Sequence, residues 1–135
     1  MSMNMNVTPR KQFLHICVTG DFSLAEANDC VVEIFEALAD HGVQKVFVDC
    51  RELKGDPTTL ERFLHATFAV QEMDRFSSMG VFRGTRFAYV GVKPLIDKHH
   101  FGEKVATNRG LNVKVTLSTH DALQWLDIEP DGGRP

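Results

Sequence analysis

The residues placed where chemistry could occur are two aspartates and two threonines. Asp49 ends a buried apolar run, and Asp56 follows it in a polar loop. A carboxylate after a strand can act in catalysis or hold a metal, although a loop anchor or a helix cap is the commoner role. Thr58 and Thr59 begin a helix, where exposed N–H groups and the helix dipole favour a phosphate, and plain capping is again the commoner role. The two threonines are the candidate phospho-acceptors.

The motifs of the common α/β enzymes are absent from the sequence. It contains no GxGxxG dinucleotide motif, no GxxxxGK[ST] phosphate loop and no GxSxG nucleophile elbow. His99 and His100 are adjacent, and neighbours on a helix diverge by about 100°, so the pair is poorly placed to share a metal. We therefore predict no catalytic residues, no metal and no cofactor. A small enzyme using Asp49 or Asp56 is the least favoured hypothesis.

The cysteines and the chain's hydropathy bear on its compartment. Cys17, Cys30 and Cys50 are odd in number, widely spaced and outside any CxxC pattern. This usage is typical of small buried thiols in a cytosolic protein, with a redox or metal role as the rarer alternative. No apolar stretch reaches the about 18 residues needed to span a membrane, and the polar beginning lacks a signal-peptide core. The predicted location is cytoplasmic, with peripheral contact to the inner face of the membrane left open.

Charge is separated along the chain. The sequence carries 15 basic and 18 acidic residues, a net charge of −3, which excludes a generic basic nucleic-acid binder. From Asp21 to Gln44 there are six acidic and no basic residues, whereas Arg75 to Lys114 holds eight basic residues and two acidic ones. Solvated faces explain this pattern, and docking to an acidic partner or to anionic lipid headgroups is the alternative. The candidate anion or headgroup contacts are Arg75, Arg83 and Arg86.

An apolar segment lies beside these basic residues. Its large side chains are Phe68, Met73, Phe76, Met79 and Phe82. Core packing with a covered linker is the simplest interpretation. If part of the segment is exposed, it could line an apolar ligand pocket, face a membrane or form a dimer surface. We predict these five residues as the ligand or membrane contact, and a homodimer as the assembly.

Hydrophobic periodicity and capping signals divide the chain into alternating strands and helices. Ser23 with Glu26, and Thr58 with Glu61, form two capping-box patterns, and Gly42 suits a helix end. The predicted strands are 13–19, 45–50, 86–92 and 112–117, and a short strand around Val7 would form a hairpin with the first of them. The predicted helices are 24–41, 58–75, 95–108 and 119–126.

This order, β(β)αβαβαβα with buried strands, predicts an α/β fold. The expected architecture is a single-layer mixed, mostly parallel sheet of about four or five strands, with helices packed on its faces. A length of 135 residues favours one domain spanning 1–135. Residues 1–10 are rich in Met and Asn, residues 128–135 are rich in Pro and Gly, and both are expected to be loosely ordered.

Four segments resemble the SpoIIAA-like branch of the STAS families: VTGDFSLAEAND (18–29), KVFVDCRELKGDPTTLERF (45–63), RFAYVGV (86–92) and NRGLNVKVTLSTHDALQWL (108–126). The resemblance implies a mixed sheet with helices on its faces, and binding rather than catalysis. Relatives include bacterial anti-sigma-factor antagonists, switched by phosphorylation of a Ser or Thr at the start of the second helix. Thr58 is nearest to that position, although Pro57 and the lack of a following Gly depart from the usual pattern.

The same branch is similar to CRAL-TRIO lipid carriers, which implies an apolar ligand cavity and membrane contact. The leading hypothesis is therefore a non-enzymatic binding module for a lipid-like ligand or a membrane surface. The alternative is a regulatory protein–protein interaction module. It would contact its partner through the acidic first helix or the Thr58 region and be switched by phosphorylation near Thr58.

Overall fold

Five strands and four helices make up the described part of the chain. A computed structural model describes residues 2–78 and 84–128. The strands are β1 (Met3–Pro9), β2 (Leu14–Asp21), β3 (Lys45–Lys54), β4 (Arg86–Val90) and β5 (Val113–Thr116). The helices are α1 (Leu24–His41), α2 (Thr59–Ser77), α3 (Phe101–Asn108) and α4 (Thr119–Trp125). The predicted alternation of strands and helices is confirmed.

The strands form one mixed sheet in the order β1-β2-β3-β4-β5. β1 runs antiparallel to β2, and the other three pairs are parallel. Parallel neighbours need helical crossovers, which α1, α2 and α3 supply. The predicted mixed, mostly parallel sheet is confirmed, including the antiparallel hairpin at its edge.

Two apolar clusters cover the two faces of the sheet. Between the sheet and helices α1, α2 and α3 lies the larger cluster, whose fully buried members include Leu14, Ile16, Leu38, Val46 and Val48. The opposite face carries a smaller cluster under α4, formed by Phe13, Phe47, Ala88, Val90, Ala122, Leu126 and Ile128. Alternate residues of β3 and β4 therefore point to different cores, which explains the nearly continuous apolar runs of these strands in the sequence.

The beginning of the chain is more ordered than the sequence suggests. Residues 1–10 were expected to be loose, but Met3–Pro9 pairs with β2, with Met3 opposite Gly20. Three β1 side chains pack against the larger cluster: Met3, Met5 and Val7. The Met3 N–H also donates to Glu26 Oε2 at 2.8 Å, so Glu26 ties β1 to α1 instead of completing a capping box with Ser23.

Two element boundaries differ from the predictions. The segment Arg51–Asp56 was predicted as a loop, but β3 continues to Lys54 because its end pairs with the end of β2. Helix α3 begins at Phe101 rather than near residue 95. The Asp97 carboxylate accepts the N–H groups of His99 and Phe101, which holds a turn in place of the expected first helical turns.

Candidate functional site

The start of α2 presents the two candidate threonines to solvent. Thr58 is the N-cap: its hydroxyl accepts the Glu61 N–H at 3.1 Å, and Glu61 Oε1 accepts the Thr58 N–H at 2.8 Å. The predicted capping box is therefore confirmed. Thr59 is the first helical residue, and both threonines are exposed. A role for either as a phospho-acceptor stays a prediction.

Arg62 joins the first turns of α2 to the chain that precedes α3. Its guanidinium donates to the Leu95 carbonyl at 2.6 Å and to the Pro94 carbonyl at 3.0 Å. The same group lies 3.6 Å from Asp97 Oδ1 and 3.5 Å from Asp56 Oδ1. Only 12% of the Arg62 side chain is exposed. Charge-assisted bonds of this kind fix the turn before α3 against α2.

Two large apolar residues lie on the outer side of α2. Leu60 is 65% exposed and Leu64 is 41% exposed, and they lie one helical turn apart. The buried members of the same helix are Ala66, Ala69, Val70 and Phe76. We use the name α2 surface for Thr58, Thr59, Leu60 and Leu64. It combines an exposed apolar pair with two hydroxyl groups at a helix N-terminus.

A cavity of about 190 Å³ lies between the sheet and helices α1, α2 and α3. Every strand contributes to its lining, through residues such as Met3, Val18, Val48, Tyr89 and Val115. Helix α2 contributes His65, Ala66 and Ala69, and α1 contributes Ala27, Cys30, Val31 and Ile34. Its lining is predominantly apolar, so the cavity favours apolar occupants over hydrated ions.

His65 is a histidine of this lining whose pKa is lowered. Its Nδ1 lies 2.9 Å from Asn28 Oδ1. The His65 ring also contacts the Phe22 ring in an edge-to-face arrangement. Burial lowers the pKa of His65 to about 4, so the ring is neutral at pH 7. Because the amide oxygen of Asn28 can only accept, Nδ1 donates, and Nε2 carries the free lone pair.

The other polar groups deep in the lining are also uncharged. Burial raises the pKa of the Tyr89 phenol, which therefore stays protonated. Burial raises the pKa of Cys30 to about 11 and that of Cys50 to about 12. Thiols with such raised pKa values are poor nucleophiles. Cys50 is buried, as predicted for a small buried thiol, whereas Cys17 and Cys30 are half-buried, and all three are free.

Charged and titratable side chains line one side of the cavity and are partly exposed. Arg62 is 12%, Asp97 24%, Glu103 20% and His100 32% exposed. Glu103 accepts the backbone N–H of Val115 and lies 3.8 Å from His100 Nδ1. We take this side as the mouth of the cavity, close to the start of α2.

The described residues of the predicted apolar contact do not line this cavity. Phe76 is only 5% exposed, and its ring contacts Phe35 at 5.6 Å between centroids. Phe68 and Met73 are half-buried against the same core, and none of the three lines the cavity. The prediction of Phe76 as a ligand-facing or membrane-facing residue is therefore corrected: α2 turns this ring inward. Met79 and Phe82 lie outside the described residues.

The predicted anion contacts do not form a common site in the described residues. Arg75 pairs with Glu72 at 2.6 Å and covers the Phe76 ring at 4.6 Å. The Arg86 guanidinium turns to the other face of the sheet, where it donates to the Trp125 and Leu126 carbonyls at 3.0 and 3.3 Å. Arg83 lies outside the described residues. Anion binding by these arginines stays a prediction.

The two aspartates are also separated. Asp49 receives two bonds from the Arg51 guanidinium, at 2.9 and 2.8 Å, and these lower the pKa of Asp49. Val48 and Cys50 line the cavity, so Asp49 between them points to the opposite face. Asp56 is 75% exposed beside Arg62. Within residues 2–78 and 84–128, no group of three or more His, Cys, Asp or Glu side chains is placed to hold a metal.

Sequence reasoning identified Thr58 and Thr59 but not the other residues that define the α2 surface and the cavity. Arg62 and His65 looked like ordinary members of an amphipathic helix, and Tyr89 looked like part of a buried strand. One signal was available: Ala66 and Ala69 are small residues on the inward side of α2. Small residues facing a sheet leave space unless a neighbour fills it.

Solved structures resemble this chain over most of its length. An anti-sigma factor antagonist from Mycobacterium paratuberculosis matches with a TM-score of 0.57 and 11% identity, covering 93% of this chain and 95% of its own. SpoIIAA in its unphosphorylated form matches with a TM-score of 0.56 and 10% identity, covering 93% and 96%. An uncharacterised protein from Shewanella loihica with a SpoIIAA-like fold matches with a TM-score of 0.50 and 20% identity, covering 92% and 93%.

The chain therefore has the SpoIIAA-like fold that the sequence resemblance implied. No protein-family model matches its sequence, and no curated protein matches it significantly. In the described part of the chain, no helix combines the length and the apolar character needed to cross a membrane.

Proposed function

We propose that this protein is a non-enzymatic binding module that contacts a regulatory protein through the α2 surface. The observation that carries the proposal is the exposure of Leu60 and Leu64, 65% and 41%, beside two exposed threonines. Covering an exposed apolar pair with a partner removes apolar surface from water and stabilises the complex, and polar neighbours fix the orientation of such a contact.

The structural neighbours support a protein partner. Two of them are anti-sigma factor antagonists, a description that names an anti-sigma factor as the protein acted on. We infer a partner of that regulatory class. This is the alternative function derived from the sequence. The leading one, a lipid-like ligand or a membrane surface, receives no support from these comparisons, and a homodimer and a cytoplasmic location stay predictions.

Phosphorylation of Thr58 is the switch that this surface would accommodate. A phosphate adds about −1.5 to −2 charges at pH 7. Placed beside Leu60 and close to Glu61, it would break the apolar contact and repel acidic groups of the partner. The same hydroxyl caps α2, so the modification would also alter the first helical turn.

Affinity capture from lysate of the source organism, quantified by mass spectrometry, identifies the partner for this test. The baits are the wild type, Leu60→Asp and a matched control, Leu117→Asp, at a leucine that is 48% exposed after β5. We expect the same purified partner to bind Leu117→Asp within about twofold of the wild type and Leu60→Asp at least about tenfold more weakly. Equal affinity for all three proteins would refute the α2 surface as the contact.

The substitution Thr58→Glu tests the proposed phosphorylation switch. We expect it to weaken partner binding, whereas Thr58→Ser, which keeps the hydroxyl cap, should bind like the wild type. Binding of Thr58→Glu at wild-type affinity would refute the proposed switch at Thr58 but would not refute Leu60 as a partner contact.

A further inference from the structure

The cavity under α2 has the dimensions of a single ring. Its volume is about 190 Å³. An engineered apolar cavity of about 150 Å³ accepts benzene, whereas drug-sized ligands occupy pockets of about 300–1,000 Å³. An occupant that fills this space is therefore one six-membered ring with a small substituent, and a long acyl chain is too large.

The lining selects against a charged occupant. Its inner walls are Val18, Val31, Ile34, Val48, Ala69 and Val115, all apolar. A carboxylate moved into such surroundings loses its hydration without a paired charge, which is costly. The charged side chains lie together at the mouth, where Arg62 and Asp97 are already engaged with each other at 3.6 Å.

Two polar groups in the lining have hydrogen-bonding capacity to spare. The Nδ1–H of His65 donates to Asn28 Oδ1, so Nε2 is left with a free lone pair that can accept a hydrogen bond. Tyr89 makes no hydrogen bond with its hydroxyl to any described residue, although the side chain lies in the middle of the sheet and lines the cavity. A bound molecule covers both atoms, and a covered polar atom without a partner is unfavourable, so an occupant that satisfies one of them gains affinity.

We propose that this cavity is a binding site for a small, uncharged aromatic compound bearing one hydroxyl group, of the size of phenol. The ring fills the apolar space, and its hydroxyl forms a hydrogen bond with the Tyr89 hydroxyl. This inference is independent of the partner-binding proposal, because it concerns the interior of the fold and not the α2 surface.

The test uses phenol, benzene and benzoate as probes, titrated into the wild type and followed by two-dimensional amide NMR. We expect phenol to bind at the cavity and more tightly than benzene, and benzoate to bind at least about tenfold more weakly than phenol. Tyr89→Phe should weaken phenol by about fivefold, the effect of one neutral hydrogen bond, and leave benzene within about twofold.

A substitution that occupies the cavity tests whether the probes bind there. Ala69→Leu places a larger side chain in the cavity and should abolish binding of both phenol and benzene, whereas Ala39→Leu, on the exposed side of α1, should bind both normally. If Ala69→Leu fails to fold, the Tyr89→Phe comparison decides. Failure of phenol to bind the wild type, or equal binding by the Tyr89→Phe and wild-type proteins, would overturn the proposal.

Discussion

The buried histidine makes stability depend on pH in a defined window. The pKa of His65 is lowered from 6.5 to about 4 by burial, so the folded protein binds a proton there less readily than the unfolded chain does. The stability associated with the neutral ring is fully present above pH 6.5 and is lost as the pH falls toward 4. At 1.36 kcal/mol per pH unit between these two pKa values, the difference corresponds to about 3 kcal/mol, most of which is lost by about pH 4.5.

Urea unfolding followed by the fluorescence of Trp125 measures this effect. The wild type and His65→Gln are each unfolded at about pH 7.5 and about pH 4.5, and the change in the free energy of unfolding is compared. We expect the wild type to lose about 2–3 kcal/mol more than His65→Gln. His15, whose pKa is also lowered by partial burial, is present in both proteins, so its contribution cancels in the comparison.

An identical pH dependence in the two proteins would refute the reasoning. It would mean that His65 is hydrated in the folded state, and the neutral acceptor assigned to the cavity would then be lost. The absolute stability of His65→Gln does not decide the question, because the substitution also changes packing against Phe22 and Asn28.

Three further predictions concern contacts that hold the described residues in place. Arg62→Met should lower the free energy of unfolding by about 2–4 kcal/mol because the bonds of a mostly buried guanidinium to two backbone carbonyls are lost. Arg51→Met, at an exposed ion pair, should cost under about 1 kcal/mol, and equal losses in urea unfolding would contradict this. Thr58→Ala should cost about 1 kcal/mol by removing the N-cap, and thermal unfolding should show Thr58→Ser restoring most of it. Phe76→Ala should cost about 3–5 kcal/mol in urea unfolding, and a loss under about 1 kcal/mol would place this ring at the surface.

Local signals were sufficient to predict most of the fold. Helix α1 begins after Ser23 and ends before Gly42, as predicted, because each of these residues satisfies backbone groups within one turn of the helix. The inner strands were recognised because both faces of the sheet are covered there, so β3 and β4 read as nearly continuous apolar runs. These features depend on neighbours in sequence, and the sequence displays them directly.

The remaining features depend on contacts between distant residues. Met3–Pro9 is a strand because it pairs with β2 and packs on the core, although its own composition favours disorder. The inward orientation of Phe76 follows from its contact with Phe35 on another helix.

The cavity is the least predictable feature of all. It is bounded by five strands and three helices, and a volume left unfilled at their junction has no counterpart in any single segment. Only the small side chains of Ala66 and Ala69 hinted at it, and alanine is frequent on helices of every kind because its helix propensity is the highest.

The measurement that tests the central claim most directly is the map of amide NMR signals perturbed when the purified partner is added. We expect the signals that shift or broaden to cluster at residues 56–64, around the α2 surface, and we expect Leu60→Asp to remove the effect. Perturbations confined to α4 or to the outer edge of β1, with residues 56–64 unchanged, would contradict it.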